Sequence, residues 1–412
     1  MNRARLLPWV IGAALIVLTA VGVPLTAPSE ASIWGGRLEA FVALVLAQGA
    51  LHGWACWLLL RRGTAAGGLG GVLLVAALMR LPAWAGPPVL SSDVYRYVWD
   101  GRVQAAAGIN PYLYVPAAPE LRALRDEDGG GPSAIYPNIN RAEEAPTIYP
   151  PVAQGIFALV GRVWPTVWGM KAAMAGFDAL AALAALALLH AARLPRERVL
   201  VYVWHPLPVW EFAGNGHVDA AALCFAALAM LAAVRLRPGL AGAALGAAAL
   251  CKLLPLAVTP ALWRRWDWRT PLACVGAIAA GYAWYAGGAG WRVLGYLPGY
   301  TAEEGLSDGS GFFLLRALSE LAPLPRWAGL AYAAAALLGL VGLAAWVARR
   351  APLPADPASR ATTICRDADL LAGAAMAAPS PHYPWYMAWL VLPACVVLLP
   401  SALRVAASEA RA

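Results

Sequence analysis

The chain has 412 residues, of which 61% are hydrophobic and 13% charged, with a formal net charge of +8. A soluble globular protein has about 45–50% apolar and about 25% charged residues, so this composition excludes a water-soluble enzyme. The apolar residues are gathered in runs that approach the length of a membrane-spanning helix, and basic residues stand in small groups at their ends. The sequence therefore predicts an all-α polytopic membrane protein and gives no sign of a nucleic-acid-binding surface.

About 11 apolar segments are predicted to cross or enter the membrane. The continuous ones lie at about 6–24, 39–60, 67–85, 167–191, 198–212, 216–234, 270–289, 327–348, 367–379 and 386–403. One further segment, 240–263, is interrupted by Lys252 and Pro255, so we expect it to enter and return as two half-helices. With that arrangement the arginine groups and both termini face the cytoplasm of a plasma (inner) membrane, and the acid-rich loops face the periplasm or outer side.

We expect two units along the chain. Residues 1–66 are predicted to form two N-terminal transmembrane helices, and residues 67–412 a second transmembrane unit that includes a long outer loop at 86–166. A loop of this length with a patterned sequence is usually functional rather than a simple connection.

The first part of the outer loop predicts a helix from 93 to 107, capped by Ser91 or Ser92 and stopped by Gly108. Its polar residues follow the spacing i, i+3, i+4, i+7 and therefore share one face, and they are Asp93, Arg96, Tyr97 and Asp100.

Asp93 lies in the first turn of this helix, where the positive helix end and Arg96 favour its ionised form. An ionised carboxylate there can accept a proton from a sugar hydroxyl. The alternative is that Asp93 only extends the cap of the helix. Asp100 is either a second functional carboxylate or simply the i+4 partner of Arg96.

A second loop helix is predicted at about 151–163, with Pro151 as its first residue. Its apolar stripe lies opposite Gln154 and Arg162 and consists of Val152, Ile156, Leu159 and Val160. This pattern predicts a helix that lies along the membrane surface.

Arginine supplies 29 of the 31 basic side chains, and the two lysines, Lys171 and Lys252, both lie within apolar segments. A charge within the membrane is costly, so it usually faces a partner, a cavity or an anionic ligand. Lys171 either reaches the outer surface and pairs with Asp178, or faces a cavity or an anionic ligand. Lys252 stands at the break of a discontinuous helix, where a cation and freed backbone groups can hold a phosphate.

Two polar turns at helix ends are predicted to contribute substrate-binding residues. The turn at 210–219 offers Glu211, Asn215, His217 and Asp219, and the turn at 379–386 offers His382 and Tyr386. The aromatic residues of the second turn are also typical of an interfacial belt. His217 and Asp219 are too few for a metal site, so neither a metal nor a cofactor is predicted.

Short motifs at these positions resemble the GT-C superfamily of membrane glycosyltransferases that use polyprenyl-phosphate sugars, and especially the mannosyltransferases of glycosyltransferase family 87. The motifs occur in the order of the family and are SDVYRY at 92–97, GINPY at 108–112, YPP at 149–151, GNGHVD at 214–219, CKLLP at 251–255 and HYPWY at 382–386. The chain differs from the simplest members of the superfamily because two additional spans precede its aspartate-bearing unit.

The resemblance implies that Asp93 is the catalytic base and that cations near the membrane bind the lipid phosphate. The candidate phosphate-binding residues are Arg96, Lys171 and Lys252, and the candidate substrate-binding residues are Tyr97, Asp100, Tyr149, Gln154, Glu211, Asn215, His217, Asp219, His382 and Tyr386. The predicted enzyme transfers a hexose, with mannose favoured, from a polyprenyl-phosphate carrier to a lipid or glycan acceptor on the outer face, with inversion.

Two other functions remain open at this stage. A transporter or flippase of an anionic lipid-linked sugar also needs several helices and internal cations, but an inverted repeat is not visible and the long outer loop has no role in it. A non-catalytic assembly subunit is the other alternative, and it would not need the carboxylate of Asp93.

Overall fold

A computed structural model describes residues 3–26, 37–62, 68–88, 91–128, 134–263, 267–295, 299, 305, 311–325, 327–350, 352–378 and 383–398. Within these ranges every regular element is a helix and there is no β-strand. The fold class predicted from the composition is therefore confirmed.

The chain begins with three long apolar helices, α1 (Arg3–Thr26), α2 (Arg37–Arg62) and α3 (Gly68–Ala85). Helix α1 packs against both α2 and α3. The amide of Gln48 donates to the hydroxyl of Thr19 over 2.9 Å, which satisfies two buried polar groups between α1 and α2. The predicted boundary at residues 66 and 67 stays a prediction, with α1 and α3 in contact across it.

The outer loop carries α4 (Asp93–Ala105), α5 (Arg122–Glu127) and α6 (Pro151–Val163). Helices α4 and α6 pack directly on one another. They approach closely at Gly101 and Gly161, and a Cβ atom added at Gly161 would lie only 2.6 Å from the carbonyl carbon of Gly101.

The contact with α4 fixes the rotation of α6 about its axis. Gln154, which was expected on the polar side, is fully buried, whereas Leu159 of the expected apolar stripe is 63% exposed. The reason is that Gln154 faces α4 and forms hydrogen bonds with Asp100 and Gln104, so that a polar network rather than an apolar stripe fixes the rotation of the helix. The position of α6 on a membrane surface stays a prediction.

Four helices form the middle of the bundle: α7 (Val167–Ala191), α8 (Leu200–Val203), α9 (Asp219–Val234) and α10 (Pro238–Ala249). The predicted continuous span at 198–212 is not observed. Helix α8 is one turn long, and a π-helix, Pro208–Gly214, follows it and makes an angle of 117° with α9. Pro206 and Pro208 remove backbone donors in this segment, which accounts for the interruption.

The predicted break in segment 240–263 is confirmed. Helix α10 ends at Ala249, residues 250–253 form a turn, and the chain continues as a 3₁₀ helix, Leu254–Val258, and the one-turn helix α11 (Thr259–Leu262). The next helix, α12 (Arg269–Ala289), packs along α10.

The last described helices are α13 (Phe313–Ser319), α14 (Ala328–Arg349), α15 (Pro357–Ala377) and α16 (Ala388–Val397). The span predicted at 367–379 coincides with only the second half of α15. This helix begins earlier because the carboxylate of Asp356 accepts the N–H of Ser359 over 2.9 Å and caps the first turn. Residues 399–403 of the last predicted span lie outside the described residues.

Six helical segments of the described chain are long and apolar enough to cross a membrane, and the π-helix with α9 makes a seventh if the bent pair is one span. They are α1, α2, α3, α7, α14 and the segment Arg269–Leu294. In α14, residues such as Leu330 and Leu338 are 76% and 71% exposed, as expected for a surface that contacts lipid. The chain is a polytopic membrane protein, although several of the 11 predicted segments are shorter or broken.

Candidate active site

Asp93 begins α4 at the mouth of the candidate site. The hydroxyl of Ser91 accepts the backbone N–H of Asp93 over 3.2 Å, whereas the N-cap residue, Ser92, makes no side-chain cap hydrogen bond. The carboxylate is 24% exposed, and its Oδ1 atom accepts the side-chain amide of Asn140 over 3.3 Å. The two oxygens of Asp93 thus lie near Asn140 and His217, which belong to other segments.

His217 lies on the inner side of Asp93, with its Nδ1 atom 4.0 Å from Asp93 Oδ2. On the other side of the ring, Nε2 lies 3.4 Å from Oε2 of Glu211, whose carboxylate also accepts the amide of Asn215 over 3.0 Å. The turn that carries His217 needs Gly216, which has φ +70° and packs against other side chains.

Lys252 and Asp219 form an ion pair next to this histidine, with Nζ and Oδ2 2.8 Å apart. The other oxygen of the fully buried Asp219 carboxylate accepts the indole N–H of Trp389 over 3.0 Å. The Lys252 ammonium also lies 4.2 Å from the ring centre of Tyr386, within the range of a cation–π contact. The turn at 250–253 places Lys252 here, and its side chain remains 22% exposed.

Trp385 links the two halves of the site. Its ring stacks on the His217 ring with centroids 4.1 Å apart, and the Lys252 ammonium lies 5.7 Å from its ring centre. Contacts thus run without interruption from Asp93 through His217 and Trp385 to Lys252. We define the candidate active site as Asp93, Glu211, Asn215, His217, Asp219, Lys252, Trp385 and Tyr386.

Most of these residues were predicted from separate segments, and the fold brings them together. Trp385 was assigned only to an aromatic belt, and Asn140 was not singled out, because a lone asparagine 47 residues from its partner has no pattern that marks it. His382 lies outside the described residues.

Other predicted residues form a buried network between α4 and α6. Arg96 Nε donates to Asp100 Oδ1 over 2.9 Å, which confirms the interpretation of Asp100 as the partner of Arg96. Gln154 Nε2 donates to the second oxygen of Asp100 over 2.9 Å, and Gln104 Nε2 donates to Gln154 Oε1 over 2.8 Å. Gln104 was missed, although it continues the face of α4 that carries Asp93 and Asp100.

The network ends at a cavity of about 510 Å³ between α6, α12 and the end of α4. The Tyr285 hydroxyl donates to Gln104 Oε1 over 2.8 Å, and Asn110 Nδ2 donates to the Tyr285 carbonyl over 2.9 Å, so the wall is held by hydrogen bonds. Gln104 and Asp93 lie about 16 Å apart along α4. The cavity is lined by Gln104, Gly108, Ile109, Asn110, Pro111, Gly155, Ala158, Leu159, Arg162, Trp284 and Tyr285.

Tyr97 and Tyr149 form an aromatic cluster with Phe157 behind Asp93. The ring of Tyr97 stacks on Phe157 at 4.6 Å and meets Tyr149 edge to face at 4.8 Å. Burial raises the pKa of both phenols well above the usual value, and the Asp93 carboxylate raises them further. Both phenols are therefore protonated near neutral pH and do not compete with Asp93 as proton acceptors.

The pairing predicted for Lys171 with Asp178 is wrong. The Lys171 ammonium is buried and donates to the carbonyl of Ala83 over 3.0 Å and to that of Gly86, at the end of α3. Asp178 instead pairs with Arg80 over 2.6 Å. A cation at the carboxyl end of a helix satisfies carbonyls that have no partner within the helix, which explains the choice of Lys171.

Groups of three or more His, Cys, Asp or Glu side chains suited to a metal ion are not found in the described ranges. All six cysteines are free thiols.

The described fold is a bundle of membrane-length helices in which acids, a lysine and stacked aromatic rings come together beside a long structured loop. The family model described as "Alpha-(1->6)-mannopyranosyltransferase, N-terminal domain" matches residues 7–266, more than half of the chain, and the chain belongs to this family. The resemblance to GT-C mannosyltransferases is thereby confirmed, and the protein is a multi-pass membrane mannosyltransferase.

The matched residues include Asp93, His217 and Lys252, whereas Trp385 and Tyr386 lie beyond the match. Neither the comparison with curated proteins nor that with solved structures gives a match.

Proposed function

We propose that this protein transfers mannose from a polyprenyl-phosphate carrier to a hydroxyl of a lipid or glycan acceptor, with Asp93 as the general base. The observation that carries the proposal is the difference in solvent exposure among the three carboxylates of the site. Asp93 is 24% exposed, whereas Glu211 and Asp219 are 2% and 0% exposed and are held by other side chains. Asp93 is thus the acid that an acceptor hydroxyl can reach.

In the proposed reaction, the acceptor oxygen attacks the anomeric carbon from the side opposite the phosphate. The bond between that carbon and the phosphate oxygen breaks, and its electron pair leaves with the phosphate. The acceptor proton moves to the Asp93 carboxylate. One such displacement inverts the anomeric centre, so that the α linkage in the family description requires a β-linked donor.

Lys252 is the proposed partner of the donor phosphate. The leaving phosphate gains negative charge in the transition state, and a fixed cation next to it lowers the barrier. Lys252 is 22% exposed and held in place by Asp219. The other two candidate cations, Arg96 and Lys171, are only 5% and 0% exposed, so the greater exposure of Lys252 favours it for this role.

We place a part of the acceptor remote from its reacting hydroxyl in the cavity next to α6, because Gln104 at the cavity lies about 16 Å from Asp93 along α4. The volume of the cavity is within the range of about 300–1,000 Å³ that is usual for ligand pockets. Trp284, which is 83% exposed, offers an aromatic face, and Arg162 offers hydrogen-bond donors. In this arrangement the reacting end of the acceptor extends from the cavity to Asp93, and Tyr97, Asp100, Tyr149 and Gln154 hold α4 and α6 together between these two points.

The predicted orientation, with both termini cytoplasmic and Asp93 on the outer side, belongs to this proposal. A lipid-linked donor presents its phosphate at the membrane boundary, and the outer loop lies at such a boundary if the arginine groups are cytoplasmic. Labelling of an Asp126→Cys variant with a membrane-impermeant thiol reagent tests the side, since Asp126 is 69% exposed. If the reagent labels the cysteine in inverted membrane vesicles but not in intact cells, the loop faces the cytoplasm and the proposed orientation is wrong.

The central experiment measures mannose transfer from radiolabelled polyprenyl-phosphate mannose in membranes that contain the wild type, Asp93→Asn or Asp126→Asn. General-base catalysis contributes about 10²–10⁴-fold, so we expect a loss of that size in Asp93→Asn. Asp126→Asn removes an exposed acid of the same loop and controls for the change in charge.

Wild-type turnover in the Asp93→Asn protein would refute the role of Asp93. A flippase or an assembly subunit would form no new glycosidic bond when purified, so failure of the purified wild type to label any acceptor would refute the proposed reaction.

A further inference from the structure

His217 is an anomaly within the candidate site. Its side chain is 1% exposed, and both ring nitrogens are buried with no hydrogen-bond partner in the part of the chain that the structure describes. Buried polar atoms in native proteins are nearly always hydrogen-bonded, so each exception calls for an explanation. Leaving such groups unpaired is unfavourable, which points to a state of the enzyme in which they are paired.

Two carboxylates lie on opposite sides of the ring, one near each nitrogen. Asp93 Oδ2 is 4.0 Å from Nδ1, and Glu211 Oε2 is 3.4 Å from Nε2. Both distances exceed a normal hydrogen bond, but catalytic hydrogen bonds are often long in a free enzyme and tighten when substrate binds. A small shift of the ring or of Asp93 would bring Asp93, His217 and Glu211 within hydrogen-bond distance of one another.

The surroundings limit how the ring can move. It stacks on Trp385, with ring planes 27° apart, and the backbone N–H of His217 donates to the carbonyl of Glu211 over 2.9 Å. Asn215 holds the Glu211 carboxylate over 3.0 Å. The ring can therefore slide along the face of Trp385 but keeps its nitrogens directed at Asp93 and Glu211.

We infer that His217 acts through Asp93 and conducts the abstracted proton from Asp93 to Glu211. This inference rests on the proposed role of Asp93 as base. Before transfer, Nδ1 carries a lone pair that faces Asp93, and Nε2 carries the proton. After Asp93 takes the acceptor proton, it passes that proton to Nδ1, and the Nε2 proton moves to the Glu211 carboxylate.

The step balances without any co-reactant. Asp93 is again a carboxylate, the imidazole is neutral with its proton on the other nitrogen, and Glu211 holds the proton that left the acceptor hydroxyl. Exchange of two neutral tautomers is ordinary imidazole chemistry. Removal of the proton from Asp93 in this way prevents its return to the acceptor oxygen while the product is still bound, and the relay is reset when Glu211 loses its proton and the imidazole returns to its first tautomer.

The test compares His217→Ala and His217→Gln with the wild type in the labelled transfer assay. We expect kcat to fall about 10²-fold in both variants, with KM for donor and acceptor unchanged. The glutamine side chain of His217→Gln can still donate to Asp93, but an amide cannot exchange a proton between two ring nitrogens. Added imidazole should restore part of the kcat of His217→Ala in a saturable manner, because the space next to Trp385 is then open.

His205→Ala is the matched control, since His205 is an imidazole that packs against another ring, His52, in the bundle. Imidazole should not stimulate this variant. Glu211→Gln should reduce kcat to a similar extent, and the double variant with His217→Ala should lose little more, because the two residues act as a unit.

Three results would overturn the inference while leaving Asp93 as base: wild-type kcat in His217→Gln, no response of His217→Ala to imidazole, or additive losses in the double variant. If Asp93→Asn itself keeps full turnover, the proposed function fails first.

Discussion

The contact between α4 and α6 gives a sharp test of the site geometry, because both helices contribute a glycine at the point of closest approach. A Cβ atom added at Gly161 would lie 2.6 Å from the carbonyl carbon and 3.1 Å from the Cα atom of Gly101. Ordinary carbon contacts are about 3.5–4.0 Å, so Gly161→Ala requires the two helices to separate by about 1 Å.

Such a separation affects stability and activity together. Overpacking of a close contact costs about 1–3 kcal/mol. Helix α4 also carries Asp93, whose position relative to His217 on another segment would change, and a misplacement of about 1 Å can reduce turnover about 10²-fold. We therefore expect Gly161→Ala to unfold at a lower temperature in detergent and to lose most of its transfer activity in membranes.

Gly155 supplies the control on the same helix. A Cβ atom there meets no atom within 4 Å, so Gly155→Ala should leave the helix contact unchanged and gain about 0.5–1 kcal/mol from the lower flexibility of alanine. If Gly161→Ala and Gly155→Ala had the same unfolding temperature and the same turnover, the close approach of α4 and α6 would not be a determinant of the site.

Two further predictions concern the ligand-binding side chains. Lys252→Met leaves the buried carboxylate of Asp219 without its ionic partner, so we expect a destabilisation of about 3–5 kcal/mol in detergent unfolding. The double variant with Asp219→Asn should recover stability but not donor binding, and recovery of both would show that Lys252 has only a structural role. Gly155→Phe should fill the cavity next to α6 and raise KM for the acceptor without changing KM for the donor, whereas an unchanged acceptor KM would place the acceptor elsewhere.

The sequence was sufficient to predict the helical class because the membrane constraint is strong. Long apolar runs with few charges predicted α1, α2 and α7 closely, since lipid leaves few alternatives to a continuous helix. Prediction failed where prolines and short polar turns interrupt the runs, as in 198–212. There the neighbouring helices decide whether the chain continues, bends or stops, and a single sequence does not contain that information.

For the site, residue types at helix ends were informative but their pairings were not. Asp93, His217 and Lys252 were each chosen because a polar side chain in or near an apolar segment is costly and usually faces a partner or a ligand. Lys171 was chosen by the same logic, yet it binds the carbonyl groups of α3, because the end of that helix packs beside it. Which partner a buried charge takes depends on tertiary packing, so candidates can be proposed from the sequence but their roles cannot be assigned.

The aromatic stack has a consequence for how the protein matures. Trp385 and Tyr386 follow Lys252 by more than 130 residues, so they are translated after Asp93, His217 and Lys252. A nascent chain that has not reached them holds the histidine and the ammonium group without the rings that contact them. We expect activity to wait for this segment, and a ribosome-stalled fragment that ends before it should be unable to transfer mannose.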